Sequence, residues 1–233
     1  MKKRGRKQKY SKDQKCSNCG ATGIYAKNLC VRCYNALHRG VDLEKLRFWT
    51  KLKETGIIPE AQETARRIYD SMAVNIGELI EYTQNITGGK VEKKDVMVWA
   101  KRYPNTTYLR PFIEYVKLKA EEGTDAIEFY TRTAESIDFQ HTTKQDSKRY
   151  AAAVKEVLPY IWFNGAEVGR RAGVSRERVR QWVLYQNVAT SNLHILHDYI
   201  CEQIIKFIQG TPYIKKLEKI TNRIESVKNI KAS

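Results

Sequence analysis

The sequence contains no apolar run that approaches the roughly 18 residues of a transmembrane helix, so we expect no membrane-spanning segment. Its basic N-terminus is not followed by an apolar segment and does not have the pattern of a secretory signal peptide. The 13 Gly and 5 Pro residues are too few for a collagen-like or low-complexity chain. Hydrophobic residues form 42% of the 233, too many for a wholly disordered protein. These absences favour a globular chain of one or two domains.

Acidic residues are scarce relative to basic ones. The 42 Lys and Arg outnumber the 26 Asp and Glu, and the formal net charge is +16. A chain with this excess repels itself unless it meets a polyanion. Nucleic acid is the polyanion that the charge favours, and a membrane surface, a ribosome or an acidic protein are the alternatives.

The first 15 residues hold eight basic side chains and one acidic residue, Asp13. Such a block has too little apolar surface to fold alone, and we predict a disordered basic arm over residues 1–14. Its Arg-Gly-Arg segment resembles the core of an AT-hook, in which two arginines enter a narrow minor groove. We favour a phosphate-binding arm without sequence preference, and a minor-groove reader is the alternative. The arm residues predicted to contact DNA phosphate are Arg4, Arg6 and Lys7.

Four of the five cysteines follow the pattern C-x2-C-x10-C-x2-C. A C-x2-C pair places two thiolates on one tetrahedral ion from a tight turn, and Gly20 suits the left-handed backbone of such a turn. Without a secretory signal, disulfides would be reduced, and no βα unit accompanies the pairs as in redox proteins. Four cysteine ligands leave no open coordination position, so we predict one structural Zn2+ in a module over residues 15–41. The predicted ligands are Cys16, Cys19, Cys30 and Cys33.

The second cysteine pair runs into a predicted helix that ends at Gly40. Treble-clef and zinc-ribbon folds have the same order of elements, in which a C-x2-C turn (a knuckle), a loop and a second knuckle are followed by a helix. The segments CSNCGAT and LCVRCYNALH resemble the GATA-type finger and the small four-cysteine fingers common in phage and mobile-element proteins. The loop is shorter than in GATA fingers, so the resemblance implies a metal-held fold and not GATA-type base reading.

The middle of the chain has apolar residues at helical spacing. We predict a central helical domain over residues 42–138, followed by a polar linker over 138–148. Residues 74–121 resemble the core-binding domain of tyrosine recombinases, which implies helices that embrace DNA. The predicted helical segments of the central domain lie at 42–58, 60–83, 92–102, 107–120 and 125–137.

Residues 165–184 read GAEVGRRAGVSRERVRQWVL and have the spacing of a helix-turn-helix. Gly173 occupies the turn, Gly169 is the small residue where the helices pack, and Ser175 is a natural N-cap. The second helix is predicted from Arg176 to Tyr185. The apolar residues at the inward offsets are Val168, Ala172, Val174, Val179 and Trp182.

The second helix presents a polar, basic face, and a solvated surface is the alternative to DNA contact. In the major groove Arg pairs with guanine, Gln with adenine and Glu with cytosine. The motif resembles region 4 of bacterial sigma factors, which reads a promoter element. That resemblance implies base reading by the second helix and phosphate contacts beside it. The predicted base-reading residues are Ser175, Arg176, Glu177, Arg180 and Gln181, and the predicted phosphate contacts are Arg170, Arg171 and Arg178.

Apolar residues flank the motif on both sides. A supporting helix is predicted over 148–163, with a break or kink at Pro159. The apolar run 192–209 either closes a helix-turn-helix domain over 147–210 or forms the seam of a homodimer. Residues 211–233 are predicted to form a basic helical tail.

Histidine is scarce, with four in the chain, and we find no nuclease, recombinase or nucleotide-binding motif. The sequence therefore predicts a non-enzymatic, mainly α-helical protein with a zinc module, a central helical domain and a C-terminal helix-turn-helix. The favoured function is sequence-specific binding of double-stranded DNA, as a transcription regulator of a phage, mobile element or bacterium. The predicted location is the cytoplasm, at the nucleoid, or the nucleus if the source is eukaryotic.

Three alternatives stay open at this stage. The first is a recombination or transposition accessory protein, or a degenerate tyrosine recombinase, that binds element ends. The second is a sigma-like promoter-recognition factor with RNA polymerase as its partner. The third is an RNA- or ribosome-binding zinc protein, since four-cysteine fingers and basic tails also occur there.

Overall fold

A computed structural model describes residues 11–40, 42–43, 46, 52, 55–92, 106–185 and 188–229 of the chain. Its described residues are mostly α-helical and its one sheet has two short strands, which confirms the predicted mainly α class. In chain order the elements are β1 Ser11–Lys15, β2 Thr22–Ile24, α1 Val31–His38, α2 Ile57–Ser71, α3 Ile76–Thr87, α4 Thr106–Glu135, α5 Lys144–Val157, α6 Gly165–Ala172, α7 Arg176–Tyr185, a 3-10 helix Thr190–Asn192, and α8 Leu193–Asn229.

The chain divides into two compact units. One contains residues 1–60 with 224–233, and the other is Ala61–Arg223. The predicted central domain, 42–138, and helix-turn-helix domain, 147–210, therefore lie for the most part in a single unit. The cysteines lie in the first unit, and α6 and α7 lie in the second.

The N-terminal unit begins with an antiparallel hairpin. Strand β1 pairs with β2, with Ser11 opposite Ile24 and Lys15 opposite Thr22. Residues 11–14, which we predicted to belong to a disordered arm, are thus part of the folded module. The backbone N–H and C=O groups of the hairpin pair with each other, which supplies order that composition alone does not predict. The predicted phosphate contacts Arg4, Arg6 and Lys7 lie outside the described residues.

Two long helices, α4 and α8, form the scaffold of the second unit. Lys117 of α4 pairs with Glu218 of α8. Further along α4, the hydroxyl of Tyr130 lies 2.9 Å from Nδ1 of His197. Residue numbers thus rise along α4 as they fall along α8, so the two helices are antiparallel. Helix α5 packs against α4, and six of its residues are buried. These are Ser147, Tyr150, Ala151, Ala153, Val154 and Val157.

The single helix predicted over 60–83 is wrong, since the structure has two helices with a break between them. Helix α2 ends at Ser71, and α3 begins at Ile76. The side chain of Asn75 accepts hydrogen bonds from Gly77 N and Glu78 N, which caps the start of α3. An Asn N-cap satisfies backbone donors that the first turn of a helix leaves free, so the new helix starts there.

The predicted separation of helices 107–120 and 125–137 is also wrong, because α4 runs through Gly123 without a break. A Cβ at Gly123 would lie 2.6 Å from the Phe207 ring, so the glycine lets α8 approach α4 closely. The predicted helix 92–102 lies largely outside the described residues.

Helix α8 continues through residues 210–212, where we predicted a boundary between a domain and a tail. Gly210 packs on Ser71 of α2, where no Cβ would fit. Pro212 cannot donate to the carbonyl of Ile208, but the hydroxyl of Thr211 donates to that oxygen at 2.9 Å. Beyond the proline, Ile214, Leu217 and Ile220 are buried, so this part of the predicted tail belongs to the core.

None of the helices among the described residues is both long enough and apolar enough to cross a membrane.

Candidate metal centre and nucleic-acid interface

The four cysteines of the repeated C-x2-C pattern lie together. Their sulfur atoms are all within 4.8 Å of one another, and Cys19 Sγ is 3.7 Å from Cys30 Sγ. A tetrahedral ion with metal–sulfur bonds of about 2.3 Å holds its sulfurs about 3.8 Å apart. Cys16 and Cys33 are buried, while Cys19 and Cys30 are half-buried. The residues therefore fit one metal ion with four thiolate ligands.

Two local backbone structures bring these sulfurs together. Cys16–Gly20 forms a turn in which Gly20 N donates to Cys16 O at 2.9 Å, with a φ of 73° at Gly20. This is the left-handed conformation that we predicted for Gly20, and it favours a residue without a Cβ. Cys30 is the N-cap residue of α1 and Cys33 lies in its first turn, so the helix itself sets the second pair.

Without a cation, burial opposes the ionisation of three of the four thiols, Cys16, Cys19 and Cys33. Burial raises the pKa of the Cys33 thiol to about 12 and also raises that of Cys19. Burial acts in the same direction at Cys16, but the backbone N–H groups of Cys30, Cys19 and Asn18 donate to its sulfur and lower its pKa to about 6. A bound cation would offset the charge of four thiolates, so metal binding and thiol deprotonation are coupled.

One residue of this centre was not predicted. The side-chain amide of Asn18 donates to Cys33 Sγ at 3.4 Å, across the cluster from its own knuckle. Donors of this kind orient metal ligands and stabilise their charge. Its position between the first two cysteines is the feature of the sequence that could have identified it.

Helices α6 and α7 form the helix, turn and helix that the sequence predicts. Helix α6 ends at Ala172, Gly173 follows with a φ of 66°, and α7 begins at Arg176. The hydroxyl of Ser175 accepts a hydrogen bond from Arg178 N at 3.2 Å, as an N-cap does. Of the predicted inward residues, Val168, Val179 and Trp182 are buried and Ala172 and Val174 are half-buried.

The helices meet at Gly169. A Cβ at this position would lie 2.7 Å from Val174 O and 3.4 Å from Arg176 N, and both atoms belong to the backbone of the turn. No side-chain rotation can relieve these contacts. Gly169 therefore fixes how closely α6 approaches the turn and, with it, the direction of α7.

The outer face of α7 carries the predicted base-reading residues. Arg176, Glu177 and Arg180 are exposed, and Gln181 is half-buried. Arg180 Nε and Nη2 donate to the two carboxylate oxygens of Glu177 at 2.8 and 2.7 Å. In the described part of the chain no side-chain hydrogen bond holds the guanidinium of Arg176. These four residues thus belong to the side of α7 that is not occupied by its buried residues Val179 and Trp182.

The predicted phosphate contacts of α6 differ in their surroundings. Arg171 Nη1 and Nη2 donate to the carboxylate of Glu202 at 2.7 and 3.0 Å, and its guanidinium lies over the Tyr199 ring. Arg171 thus joins α6 to α8. Arg170 pairs only with Glu167 of its own helix among the described residues, and 75% of its side chain is exposed. Of the two, Arg170 has the geometry of a surface contact.

Residues far from the motif hold it in place. The hydroxyl of Tyr199 accepts from Asn164 N at 2.9 Å, and Ser147 Oγ donates to Val188 O. Tyr199 thus attaches the start of α6 to α8, and Glu202 attaches its end through Arg171. Ser147 attaches the segment after α7 to α5. Tyr199 and Glu202 lie about 30 residues from their partners, and the sequence pattern contains no indication of this pairing.

Comparison of the chain with protein-family models, with curated proteins and with solved structures finds no match in any of the three. The likenesses to four-cysteine fingers and to sigma region 4 remain likenesses of short motifs. What the chain does must therefore be inferred from its own residues and their geometry.

Proposed function

We propose that the chain is a sequence-specific double-stranded DNA-binding protein, of the transcription-regulator class, with α7 as its reading helix. One structural Zn2+ would hold the N-terminal module. The observation that carries the proposal is the polar outer face of α7, with Arg176, Glu177 and Arg180 exposed and Gln181 half-buried. Buried Val179 and Trp182 fix the helix from its other side. A rigid helix with side chains that match base edges is what major-groove reading requires.

The charge of the chain supports the same function. Phosphate attraction is independent of sequence and supplies the salt-dependent part of DNA affinity. Two exposed arginines of the motif, Arg170 near the end of α6 and Arg178 on α7, are available for such contacts. These contacts would position α7, and its side chains would discriminate between bases.

Zinc is the metal that we propose for the cysteine cluster. Four thiolates in a closed tetrahedron are the ligand set of structural zinc sites, and the 3.7 Å separation of Cys19 and Cys30 sulfurs matches their geometry. The ion would have a folding role, because no ligand position stays open for substrate.

Selection of bound sequences from a random duplex library tests the DNA proposal. We expect enrichment of a short motif by the full-length protein and its loss in Arg176→Ala. Arg132→Ala is the matched control, since it also removes an exposed arginine but lies on α4. Absence of an enriched motif, with equal binding of structured RNA in competition, would contradict the proposal and favour the RNA-binding alternative.

At the selected site, Arg176→Ala and Gln181→Ala should each weaken specific binding by about 1–3 kcal/mol. Nonspecific duplex affinity should change little, because base-edge contacts are absent there. Titration of both duplexes at one salt concentration measures the difference. An equal loss on the two duplexes would show that these residues contact phosphate only.

Deletion of residues 2–10 should reduce the salt dependence of DNA binding. The deletion removes six Lys and Arg and ends before β1. Each phosphate contact contributes about 0.9 to the slope of log affinity against log salt, so the slope should fall by up to about 5. An unchanged slope would exclude this segment from the DNA interface.

A further inference from the structure

A cavity of 580 Å³ lies between α4, the segment that follows it, and α8. Its apolar lining includes Ala134, Ile137, Phe139, Ile204 and Ile205. Ligand pockets of proteins span about 300–1,000 Å³ and combine an apolar lining with a few polar groups. The volume and lining of this cavity are those of a site for a small molecule.

A buried polar network lies beside the cavity, and two of its members, Tyr130 and His197, line it. The hydroxyls of Tyr130 and Tyr150 are 2.6 Å apart, and Tyr130 OH is 2.9 Å from His197 Nδ1. Both tyrosines are buried, at 1% and 0% exposure. A network of this kind inside a helical core is costly unless every proton finds an acceptor.

Two arrangements of protons satisfy both hydroxyls, and His197 Nδ1 is an acceptor in each. In the first, Tyr150 donates to the Tyr130 oxygen and Tyr130 donates to Nδ1 at 2.9 Å. In the second, Tyr130 donates to the Tyr150 oxygen and Tyr150 donates to Nδ1 at 3.4 Å. The imidazole then carries its proton on Nε2. The neighbour of Nε2 is Cys201 Sγ at 3.6 Å, a weak acceptor.

Both His197 and Cys201, the neighbour of its Nε2, line the cavity, so a bound molecule would lie next to this pair. Burial lowers the pKa of His197, so the ring is neutral at physiological pH. Glu135 also lines the cavity, and its carboxylate disfavours an anionic ligand.

We propose that this cavity binds a small uncharged ligand with an apolar body and one hydrogen-bond acceptor, which accepts from His197 Nε2. The apolar walls would contact the body of the ligand. The acceptor would replace the weak Cys201 partner of the imidazole.

Helix α8 lines the cavity and also holds α6, the first helix of the helix-turn-helix. Tyr199 and Glu202, which hold α6, lie between His197 and Ile205 on the same helix. If the proposed DNA function holds, a ligand here is an effector of α6 and α7. Binding is measured without DNA, so failure of the ligand site and failure of the DNA function are distinguishable.

The probe is prodan, a neutral fluorescent naphthyl ketone, titrated into the full-length protein. We expect saturable binding, weakened at least about tenfold by Ile205→Trp, which fills the cavity. Ile208→Trp is the matched control, because Ile208 is equally exposed, at 55% against 54%, and does not line the cavity. No saturable binding, or equal effects of the two substitutions, would overturn the proposal.

The hydrogen bond is tested by competition with a matched pair of ligands. The pair is 2-acetylnaphthalene and 2-isopropenylnaphthalene, in which a methylene replaces the carbonyl oxygen. His197→Phe should weaken the ketone about three- to tenfold and leave the hydrocarbon unchanged. If His197→Phe changes the affinities of the two ligands equally, His197 does not recognise the acceptor. Because the two ligands are compared on one variant, a change in its stability cancels.

Discussion

Removal of the metal is expected to unfold the N-terminal module and to leave the second unit folded. The module has little apolar core, since Leu29 is the one side chain besides two cysteines in its buried cluster among the described residues. Structural zinc contributes about 10–16 kcal/mol of binding free energy that is also folding free energy. The second unit, Ala61–Arg223, contains none of the four cysteines.

Cys33→Ser and Cys201→Ser separate this role from a general effect of losing a thiol. Cys33 belongs to the cluster, and Cys201 lies on α8 outside it. Native mass spectrometry should find one zinc per chain in the Cys201 variant and a loss of stoichiometric zinc in the Cys33 variant. Amide hydrogen exchange should show lost protection over residues 11–40 and retained protection in α5 and α8.

Lowering the pH should also remove the metal and unfold the N-terminal module. Metal binding requires four thiolates, so affinity falls as pH falls and protons compete for the sulfurs. Zinc release should therefore accompany the loss of protection over residues 11–40 in a pH titration. Protection that survives complete removal of zinc, or stoichiometric zinc in Cys33→Ser, would contradict a metal-held fold.

The features that the sequence could predict are those set by short spacing. The C-x2-C pairs act within single turns, so the ligand set follows from the pattern and the fold brings the sulfurs together. The same holds for Gly173 and Ser175, whose turn and cap roles depend on adjacent backbone groups. Local geometry was sufficient for each of these predictions.

The features that could not be predicted depend on partners distant in the chain. Gly123 continues a helix because Phe207 lies against it, and Gly210 does so because of Ser71. In isolation both residues indicate a break. Likewise, the polar network beside the cavity joins Tyr130, Tyr150 and His197 from three helices, and no pattern along the chain relates them.

Gly169→Ala is expected to disturb the reading helix more than the loss of any one of its side chains. The added Cβ would overlap the carbonyl oxygen of Val174, and an overlap with backbone costs about 1–3 kcal/mol through displacement of the chain. The turn would have to open and α7 would rotate. All of the proposed base contacts of α7 would then shift together, so under the proposed function specific affinity should fall by about a hundredfold or more.

Gly165→Ala provides the control within the same helix. Its added Cβ would have its nearest contacts at 3.7 Å, with Phe163 and Val179 side chains, which is ordinary van der Waals distance. Alanine is favoured over glycine by about 1 kcal/mol in a helix interior. Gly165 is the first residue of α6, so we expect this variant to be about as stable as the parent. Thermal unfolding and duplex titration of the two variants measure stability and specificity separately.

If Gly169→Ala keeps specific affinity while Gly165→Ala loses it, the close contact of α6 with the turn does not set the position of α7. If Gly169→Ala loses specific affinity and keeps salt-dependent binding to nonspecific duplex, the contact positions the base-reading face, since phosphate attraction alone does not require it.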